Sequence, residues 1–300
     1  MAITRTAIGA TANDKSGSSI IFSLTSGVSV DDCFLFICAG DATASALSTQ
    51  LQHSGTAYDY DTFTKDVEAT NAGNVVAAIW RVVSTKATAW GGTYPRLVCI
   101  AANAFAIAAI KIDGLSSSPL DVSSAGTESN TSPSSGATNT TAQPNEILIG
   151  AVGTEGPSGD TAGTWGNSFT NGQRSGTTGS SAASNITISE GYYIVSNAAA
   201  YTAAKSSITS RDWAACIATY KAAAEPVTIA PAQAALTITG YAPSIAVSNH
   251  KTVSPGVGAL TITGYAPSIA VSNHKTVSPG VGALTITGYA PSIAVSNHKT

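Results

Sequence analysis

The stretch Cys33-Phe34-Leu35-Phe36-Ile37-Cys38 indicates how this chain folds. Its side chains are apolar at every position, so a strand formed here would bury both of its faces. Asp31 and Asp32 precede it and form an ordinary turn. The stretch therefore predicts a central strand in the core of a β-sandwich.

Strand patterns recur along residues 1–222, between clusters of Gly, Ser, Thr, Asn and Pro, and helical patterns are nearly absent. In residues 186–190, Ile-Thr-Ile-Ser-Glu, apolar and polar side chains alternate, as in a strand with one buried face. We predict an all-β jelly-roll or two-sheet sandwich domain, with two long polar connections at 116–145 and 153–185. The predicted strands are 2–8, 19–25, 33–39, 75–83, 97–102, 106–112, 146–152, 186–195 and 213–221.

The surface is expected to be poor in charge. Only 10% of the 300 residues are charged, whereas a soluble domain usually has about 25%. Ser, Thr, Asn, Ala and Gly cover the surface instead, which suits copies packed at high local concentration because they repel one another little. The net charge is −3 and the Lys and Arg residues are scattered singly, so no nucleic-acid partner is predicted.

The sequence predicts no membrane insertion and no secretion signal. The most apolar window, residues 97–110, contains Asn103 and is shorter than the roughly 20 residues that a bilayer span needs. We interpret it as two buried strands joined by a turn at Asn103. The N-terminus has no basic region followed by an apolar run.

The cysteines are expected to be reduced thiols in the core. Cys33, Cys38, Cys99 and Cys216 all lie in apolar, strand-like runs, and no CxxC pair is present. Cys33 and Cys38 are five positions apart, so on one strand they would point to opposite faces. Reduced thiols fit synthesis in a reducing cytoplasm.

A tandem repeat occupies the C-terminal part of the chain. Its unit, Ala-Leu-Thr-Ile-Thr-Gly-Tyr-Ala-Pro-Ser-Ile-Ala-Val-Ser-Asn-His-Lys-Thr-Val-Ser-Pro-Gly-Val-Gly, begins at Ala235, Ala259 and Ala283, a period of 24 residues. The copies are identical wherever they overlap. We therefore predict three segments: the sandwich domain 1–222, a linker 223–228 and tandem β-repeats 229–300.

Each repeat unit is predicted to form two short strands joined by a turn at 240–243. Leu236 and Ile238 point to one face of the first strand, and Thr237 and Thr239 point to the other. A unit has too few apolar side chains to offset the entropy of ordering it, so it must pack against other units or other chains. The residues expected to mediate this assembly are Leu236, Ile238, Tyr241, Ile245, Val247, Leu260, Ile262, Tyr265, Ile269, Val271, Leu284, Ile286, Tyr289, Ile293 and Val295.

The sequence contains no catalytic or metal-binding motif that singles out residues. His250, His274 and His298 are one repeat position, in a polar turn, and His53 lacks the Gly-x-Ser-x-Gly partner of a hydrolase triad. We predict no enzyme activity, no cofactor and no metal ion. A pair of carboxylates for glycoside hydrolysis stays an open alternative.

An acidic cluster between residues 59 and 68 is interpreted as a solvated loop. Asp59 and Asp61 resemble the start of a calcium loop, but the glycine and the distal glutamate of that loop are missing. Asp66 and Glu68 complete the cluster.

Aromatic residues in or beside glycine-rich segments are candidate contacts for a partner or a glycan. Trp90, Tyr94 and Trp165 are the candidates, and Phe169 lies close to the last of them. Exposed aromatic rings can stack on sugars or anchor a partner. The alternative is that these rings cap the ends of the sandwich core.

The repeat sequence Leu-Thr-Ile-Thr-Gly-Tyr-Ala-Pro resembles the "GYAP" repeats of structural proteins from tailed bacteriophages and prophages. Residues 1–222 resemble phage-associated jelly-roll domains in Ala77–Val82, Ala109–Gly114 with Pro119–Asp121, Glu146–Gly150 and Trp213–Cys216. The resemblance implies a virion component with no catalytic residues to carry over.

We therefore expect a non-enzymatic virion protein, made in the host cytoplasm, that serves as a head decoration, head fibre or tail appendage. Its expected partners are further copies of this chain, for example in a trimer, and other virion proteins. Two alternatives stay open: a carbohydrate-binding adhesin or receptor-binding module that contacts host-surface glycans, and a subunit of an extracellular filament.

Overall fold

The computed structural model describes residues 2–13, 18–41, 48–55, 59–72, 74–101, 104–179 and 184–224. The repeats with their assembly residues, residues 225–228 of the predicted linker and the predicted turn at Asn103 lie outside this part. What the structure describes consists of antiparallel β-sheets and contains no α-helix. The all-β class predicted for the N-terminal domain is confirmed.

The first half of the described chain forms two sheets. Inner sheet 1 and outer sheet 1 are made from nine strands. The strands are β1 (Thr4–Asn13), β2 (Ser18–Ser23), β3 (Cys33–Gly40), β4 (Ser48–Gln52), β5 (Tyr60–Thr62), β6 (Thr64–Asn71), β7 (Val75–Val83), β8 (Arg96–Ala101) and β9 (Phe105–Asp113). Inner sheet 1 has the order β1-β9-β3-β7-β6, and outer sheet 1 has the order β2-β8-β4-β5.

The second half forms two further sheets from seven strands within the described residues. The strands are β10 (Leu115–Asn130), β11 (Glu146–Glu155), β12 (Ala162–Trp165), β13 (Thr170–Gly176), β14 (Ile186–Val195), β15 (Lys205–Ile208) and β16 (Arg211–Ala222). Inner sheet 2 has the order β10-β16-β11-β14-β13, and outer sheet 2 consists of β12 and β15.

The two inner sheets pack face to face around the central core. Leu35 and Ile37 of β3 lie in one buried cluster with Ile149 of β11 and Ile188 of β14. All eight residues of β3 are buried. The apolar run Cys33–Cys38 therefore forms the central strand that its sequence predicts, with one face toward inner sheet 2 and the other toward outer sheet 1.

Each outer sheet covers the remaining face of its inner sheet. Phe36 of β3 stacks on Phe63 with ring centroids 4.6 Å apart under outer sheet 1. Leu148 and Val152 of β11 pack with Trp165 under outer sheet 2. The result is a sandwich-like all-β architecture, as predicted, with four layers rather than the two of a single two-sheet sandwich. Strongly apolar inner strands need cover on both faces, and the outer sheets provide it.

The two halves share one order of strands. In each inner sheet the first strand of the half pairs with the last, β1 with β9 and β10 with β16. β2 pairs with β8 in the first half. At the corresponding place in the second half, the segment 131–141 is hydrogen-bonded to 199–208, for example Ser135 N to Ala203 O at 3.0 Å and Thr138 N to Tyr201 O at 2.9 Å.

All nine predicted strands are present, and both predicted long connections were wrong in part. Residues 116–130 belong to β10, which pairs with β16 along its length, and the region 153–185 contains the end of β11 and the strands β12 and β13. These strands have hydroxyl-bearing or glycine residues where a sandwich strand has apolar ones. Their apolar alternation is therefore too weak to predict a strand.

Three cysteines are buried thiols, as expected. Cys33 faces inner sheet 2 and Cys38 faces outer sheet 1, which confirms their predicted opposite orientation. Burial raises the pKa of the Cys33 thiol to about 12 and also raises the pKa of Cys216. The side chain of Cys99 lies outside the described residues.

Candidate functional site

A cavity of about 170 Å³ lies between outer sheet 2 and the β13–β14 edge of inner sheet 2. We call it the cationic cavity because two basic side chains line it. Its lining residues are Ala162, Gly163, Trp165, Asn171, Gly172, Gln173, Arg174, Ser189, Glu190 and Lys205. Four strands from different parts of the second half therefore meet around one space.

Lys205 is the most unusual residue of this cavity because it is a buried lysine, only 5% exposed. Its ammonium lies 5.3 Å from the centroid of the Trp165 ring. Burial, followed by the charge of nearby Arg174, lowers the pKa of Lys205 to about 8. No carboxylate among the described residues acts on the charge of Lys205, and its Nζ is not among the fully enclosed side-chain atoms without a partner.

Arg174, on β13, is the second cation. Its Nη1 donates to the Ser158 carbonyl at 2.7 Å and its Nη2 to the Asp160 carbonyl at 3.2 Å. Its Nε is buried without a hydrogen-bond partner. Burial lowers the pKa of Arg174. The carboxylate of Asp160 pairs with Arg211 at 2.9 Å. Its charge also favours the charged form of Arg174, but the hydrogen bonds of Arg174 go to main-chain carbonyls alone.

Glu190 borders the cavity and is already paired. Both of its carboxylate oxygens accept hydrogen bonds from Arg5 of β1, at 2.7 and 2.5 Å, and one also accepts from the Gln173 amide at 2.7 Å. The Glu190 side chain is fully buried. This ion pair joins the two halves of the molecule, and it leaves Glu190 unable to neutralise Lys205 or Arg174 at short range.

Trp165, a candidate partner or glycan contact, forms a wall of the cavity. The residue is only 8% exposed, and its ring stacks on Phe169 with centroids 5.6 Å apart. The ring lies across Gly150 and Gly191, where a Cβ atom would approach it to 3.1 and 2.5 Å. Its position therefore matches the core-capping alternative rather than an open ring face.

Trp90 and Tyr94, the other aromatic candidates, lie on one loop before β8. Trp90 is 56% exposed, and the turn after it is closed by a hydrogen bond from Gly91 N to Tyr94 O at 2.9 Å. Tyr94 is half-buried, with the Arg96 guanidinium 4.9 Å from its ring centroid. Of the three candidates, Trp90 alone presents a largely open ring.

His53 is buried and connects three segments of the first half. Its Nδ1 lies 2.7 Å from the Thr88 hydroxyl and its Nε2 lies 2.9 Å from Asp61 Oδ2. Asp61 also accepts hydrogen bonds from the Thr85 amide and hydroxyl, and the pKa of Asp61 is lowered by these bonds against the effect of burial. The hydroxyl, imidazole and carboxylate stand in the order of a hydrolase triad, but the imidazole is only 2% exposed. The His53 imidazole therefore has a structural role, because its hydrogen bonds connect these segments of the first half.

The acidic residues expected in a solvated loop lie in or beside strands, so that interpretation was wrong. Asp66, on β6, has a fully buried side chain that accepts hydrogen bonds from Arg81 at 2.9 and 3.1 Å. It also accepts one from the Tyr220 hydroxyl of inner sheet 2, at 2.9 Å. Burial raises the pKa of Asp66. Glu68 pairs with Lys65 at 2.8 Å.

Glu146 is a buried acid without a hydrogen bond of normal geometry. The residue begins β11, is 0% exposed, and neither carboxylate oxygen has a hydrogen-bond partner. Burial, followed by the nearby carboxyl of Asp121, raises the pKa of Glu146 to about 7, while Thr219 and Lys221 act in the opposite direction. Local sequence does not single Glu146 out, because the strand that buries it comes 75 residues later, at Lys221.

Within the described ranges, no group of three or more His, Cys, Asp and Glu side chains is placed to hold a metal ion. The described part of the chain also has no helix of the length and apolarity needed to cross a bilayer. Comparison with protein-family models, curated proteins and solved structures found no match in any of the three. The function has to be inferred from the chemistry of the molecule itself.

Proposed function

We propose that this chain is a non-enzymatic structural protein of a bacteriophage particle, which acts by assembly and display. The observation that supports it best is the pairing in the first half: β1 with β9, β2 with β8, β3 with β7, and β4 with β5. Nested pairs of this kind arise when one long antiparallel hairpin is rolled into two packed sheets. This pairing supports our proposal of a jelly roll, a fold of viral capsid and lectin domains.

The second half supports the same interpretation. β10 pairs with β16, β11 pairs with β14, and the segment 131–141 runs beside 199–208. We therefore propose two jelly rolls in one chain, packed through their inner sheets. The buried Arg5–Glu190 ion pair and the hydrogen bonds that link those sheets, such as those from Tyr220 to Asp66 and from Gln173 to the Ala109 carbonyl, would hold the two halves as a single rigid support.

A rigid support with few charges suits a particle surface. Only 10% of the residues are charged, which keeps repulsion between neighbouring copies small. The tandem repeat would then associate with the repeats of other copies, so that weak contacts add up through their number. Under this proposal the protein resides in the virion, on the head or the tail.

Removing residues 229–300 tests the assembly part of the proposal. We expect the shortened chain to keep its β-sheet circular dichroism and to sediment as a monomer, whereas the full chain sediments as an oligomer. A full-length variant with Tyr241, Tyr265 and Tyr289 replaced by Ala should lose the oligomer in the same way. Identical sedimentation of all three chains would contradict a role of the repeat in assembly.

Immunogold labelling tests whether the protein is part of the phage particle. Gold-labelled antibody raised against residues 1–222 should decorate heads or tails of intact phage particles in electron micrographs. If the antibody finds the protein only on bacterial surfaces or in filaments, the virion location is wrong. Purified protein that polymerises alone into long filaments would favour the filament alternative.

Exposure of Trp90 favours carbohydrate binding as the second candidate function. A tryptophan ring open to solvent on a loop can stack on a sugar. On a glycan array, Trp90→Ala should abolish any binding that the native chain shows. Val30, which is 53% exposed, supplies the matched control, and Val30→Ala should bind as the native chain does.

A further inference from the structure

The cationic cavity holds two positive charges that have no carboxylate partner. We propose that it binds a small anion, the carboxylate, sulfate or phosphate group of a ligand, between Lys205 and Arg174. The proposal rests on the second half alone and is independent of how the repeat assembles.

The contrast with other buried cations supports an anion at this place. Among the described residues, Arg5 is paired with Glu190, and Arg81 is paired with Asp66. Lys205 and Arg174 form no such ion pair, although Lys205 is only 5% exposed and Nε of Arg174 is fully enclosed. An unpaired buried charge is costly, and buried charges in proteins are normally paired. A bound anion would supply the missing pair.

The position of the two cations also favours a shared ligand. Both line the same cavity, and the charge of Arg174 disfavours the charged form of Lys205. An anion in the cavity would accept a hydrogen bond from Nζ of Lys205 and reduce this repulsion between the two charges. Hydrogen bonds between ionised groups are about twice as strong as those between neutral groups.

The size and walls of the cavity limit the ligand. A volume of about 170 Å³ equals that of about six water molecules, at about 30 Å³ each, which is smaller than the pocket of a drug-sized molecule. Ser189 and Asn171 add polar groups, and Trp165 adds an aromatic wall. The cavity therefore fits an inorganic oxyanion or the charged end of one acidic sugar.

Lys205→Met tests the proposal in the full chain, because methionine retains the apolar part of the side chain and lacks the charge. Thermal unfolding is measured with sodium sulfate, sodium phosphate, sodium glucuronate, glucose or sodium chloride at equal ionic strength. We expect at least one of the three oxygen anions to raise the unfolding midpoint of the native chain by about 3 °C or more. The increase should be absent in Lys205→Met and retained in Lys65→Met, a control at an exposed lysine.

The control variants separate binding from the general stabilisation that sulfate and phosphate give to proteins. Stabilisation by glucuronate alone would identify an acidic sugar as the ligand, and stabilisation by sulfate or phosphate alone would identify an inorganic oxyanion. Equal midpoint increases in the native chain and in Lys205→Met, or no increase with any anion, would overturn the proposal.

A second test needs no variant: crystals of the native chain are soaked in selenate, and the anomalous scattering of selenium locates the bound anion. We expect an anomalous selenium peak in the cationic cavity, with a selenate oxygen within hydrogen-bonding distance of Nζ of Lys205. If selenate gives no peak in the cavity and glucuronate does not stabilise the native chain, then the cavity binds no anion.

Discussion

Replacing Glu146 by Gln measures how much one buried carboxylate lowers the free energy of unfolding. The side chain is enclosed at the start of β11, and neither of its oxygens has a hydrogen bond of normal geometry. Burial and the Asp121 carboxyl favour the protonated form and raise the pKa of Glu146 from 4.5 to about 7. The folded chain therefore binds this proton more tightly than the unfolded chain does.

The sign of the pH effect follows from that difference. Below about pH 4.5, Glu146 is protonated in both states and has no effect on the free energy of unfolding. As the pH rises from about 4.5 to about 7, the unfolded chain ionises first, so the folded state loses stability progressively. Above about pH 7 the loss is complete. At about 1.4 kcal/mol for each pKa unit, the loss is at most about 3.5 kcal/mol. With relaxation around the charge we expect about 2 kcal/mol.

Urea unfolding of the native chain and Glu146→Gln at several pH values between about 4.5 and 8 measures the effect. The glutamine is neutral throughout, so the variant should match the native chain near pH 4.5 and exceed it by about 2 kcal/mol near pH 8. Glu128→Gln, at an exposed position of β10, is the matched control and should follow the native chain. If Glu146→Gln shows a constant difference from the native chain at every pH, the reasoning about its buried charge is refuted.

Three further outcomes test packing, charge and thiol burial in the two halves. Gly191→Ala places a Cβ 2.5 Å from the ring of Trp165 and should lower the free energy of unfolding, measured in urea, by about 1–3 kcal/mol. Its control, Gly159→Ala, has open space around the new Cβ and should change that free energy by less than about 0.5 kcal/mol. Glu190→Gln removes a buried charge and should lower the free energy of unfolding by about 3 kcal/mol in the same assay. Glu68→Gln, in a partly exposed ion pair, should lower it by less than about 1 kcal/mol. Equal losses in the two variants would contradict a stabilising role of the Arg5–Glu190 ion pair between the halves. Cys33 should resist alkylation near pH 8 until the chain is unfolded, as measured by mass spectrometry of its peptide, because burial raises the pKa of its thiol to about 12.

The apolar strands were predictable because a short stretch of sequence is enough to show that they must be buried. A run such as Cys33–Cys38 has no polar side chain to expose, so it belongs in the centre of a sheet wherever that sheet lies. The strands β4, β5, β6, β10, β12, β13 and β15 were not predicted as strands, because they lie at edges or in outer sheets, where one face or both can be polar. Pairing with a neighbour, rather than side-chain pattern, makes them strands.

The cationic cavity was not predictable from the sequence for a related reason. Arg174 and Lys205 are 31 positions apart and lie on β13 and β15, two strands that the side-chain pattern does not indicate. Trp165 was singled out for its glycine-rich surroundings, and the fold places it as a wall of that cavity. Nothing in local sequence distinguishes it from Trp90, whose ring is exposed.

For this protein, composition and local pattern are sufficient to establish the all-β class, the reduced core thiols and the 24-residue period of the C-terminal repeat. They do not establish that the two halves share one strand order, that four layers form, or that two cations line one cavity. The fold class and the core strands depend on the polarity pattern of residues that are neighbours in the sequence, and that pattern can be read directly from the sequence. Layers and cavities depend on contacts between residues far apart in the chain, such as Arg5 with Glu190, and those contacts exist only when the sheets have packed.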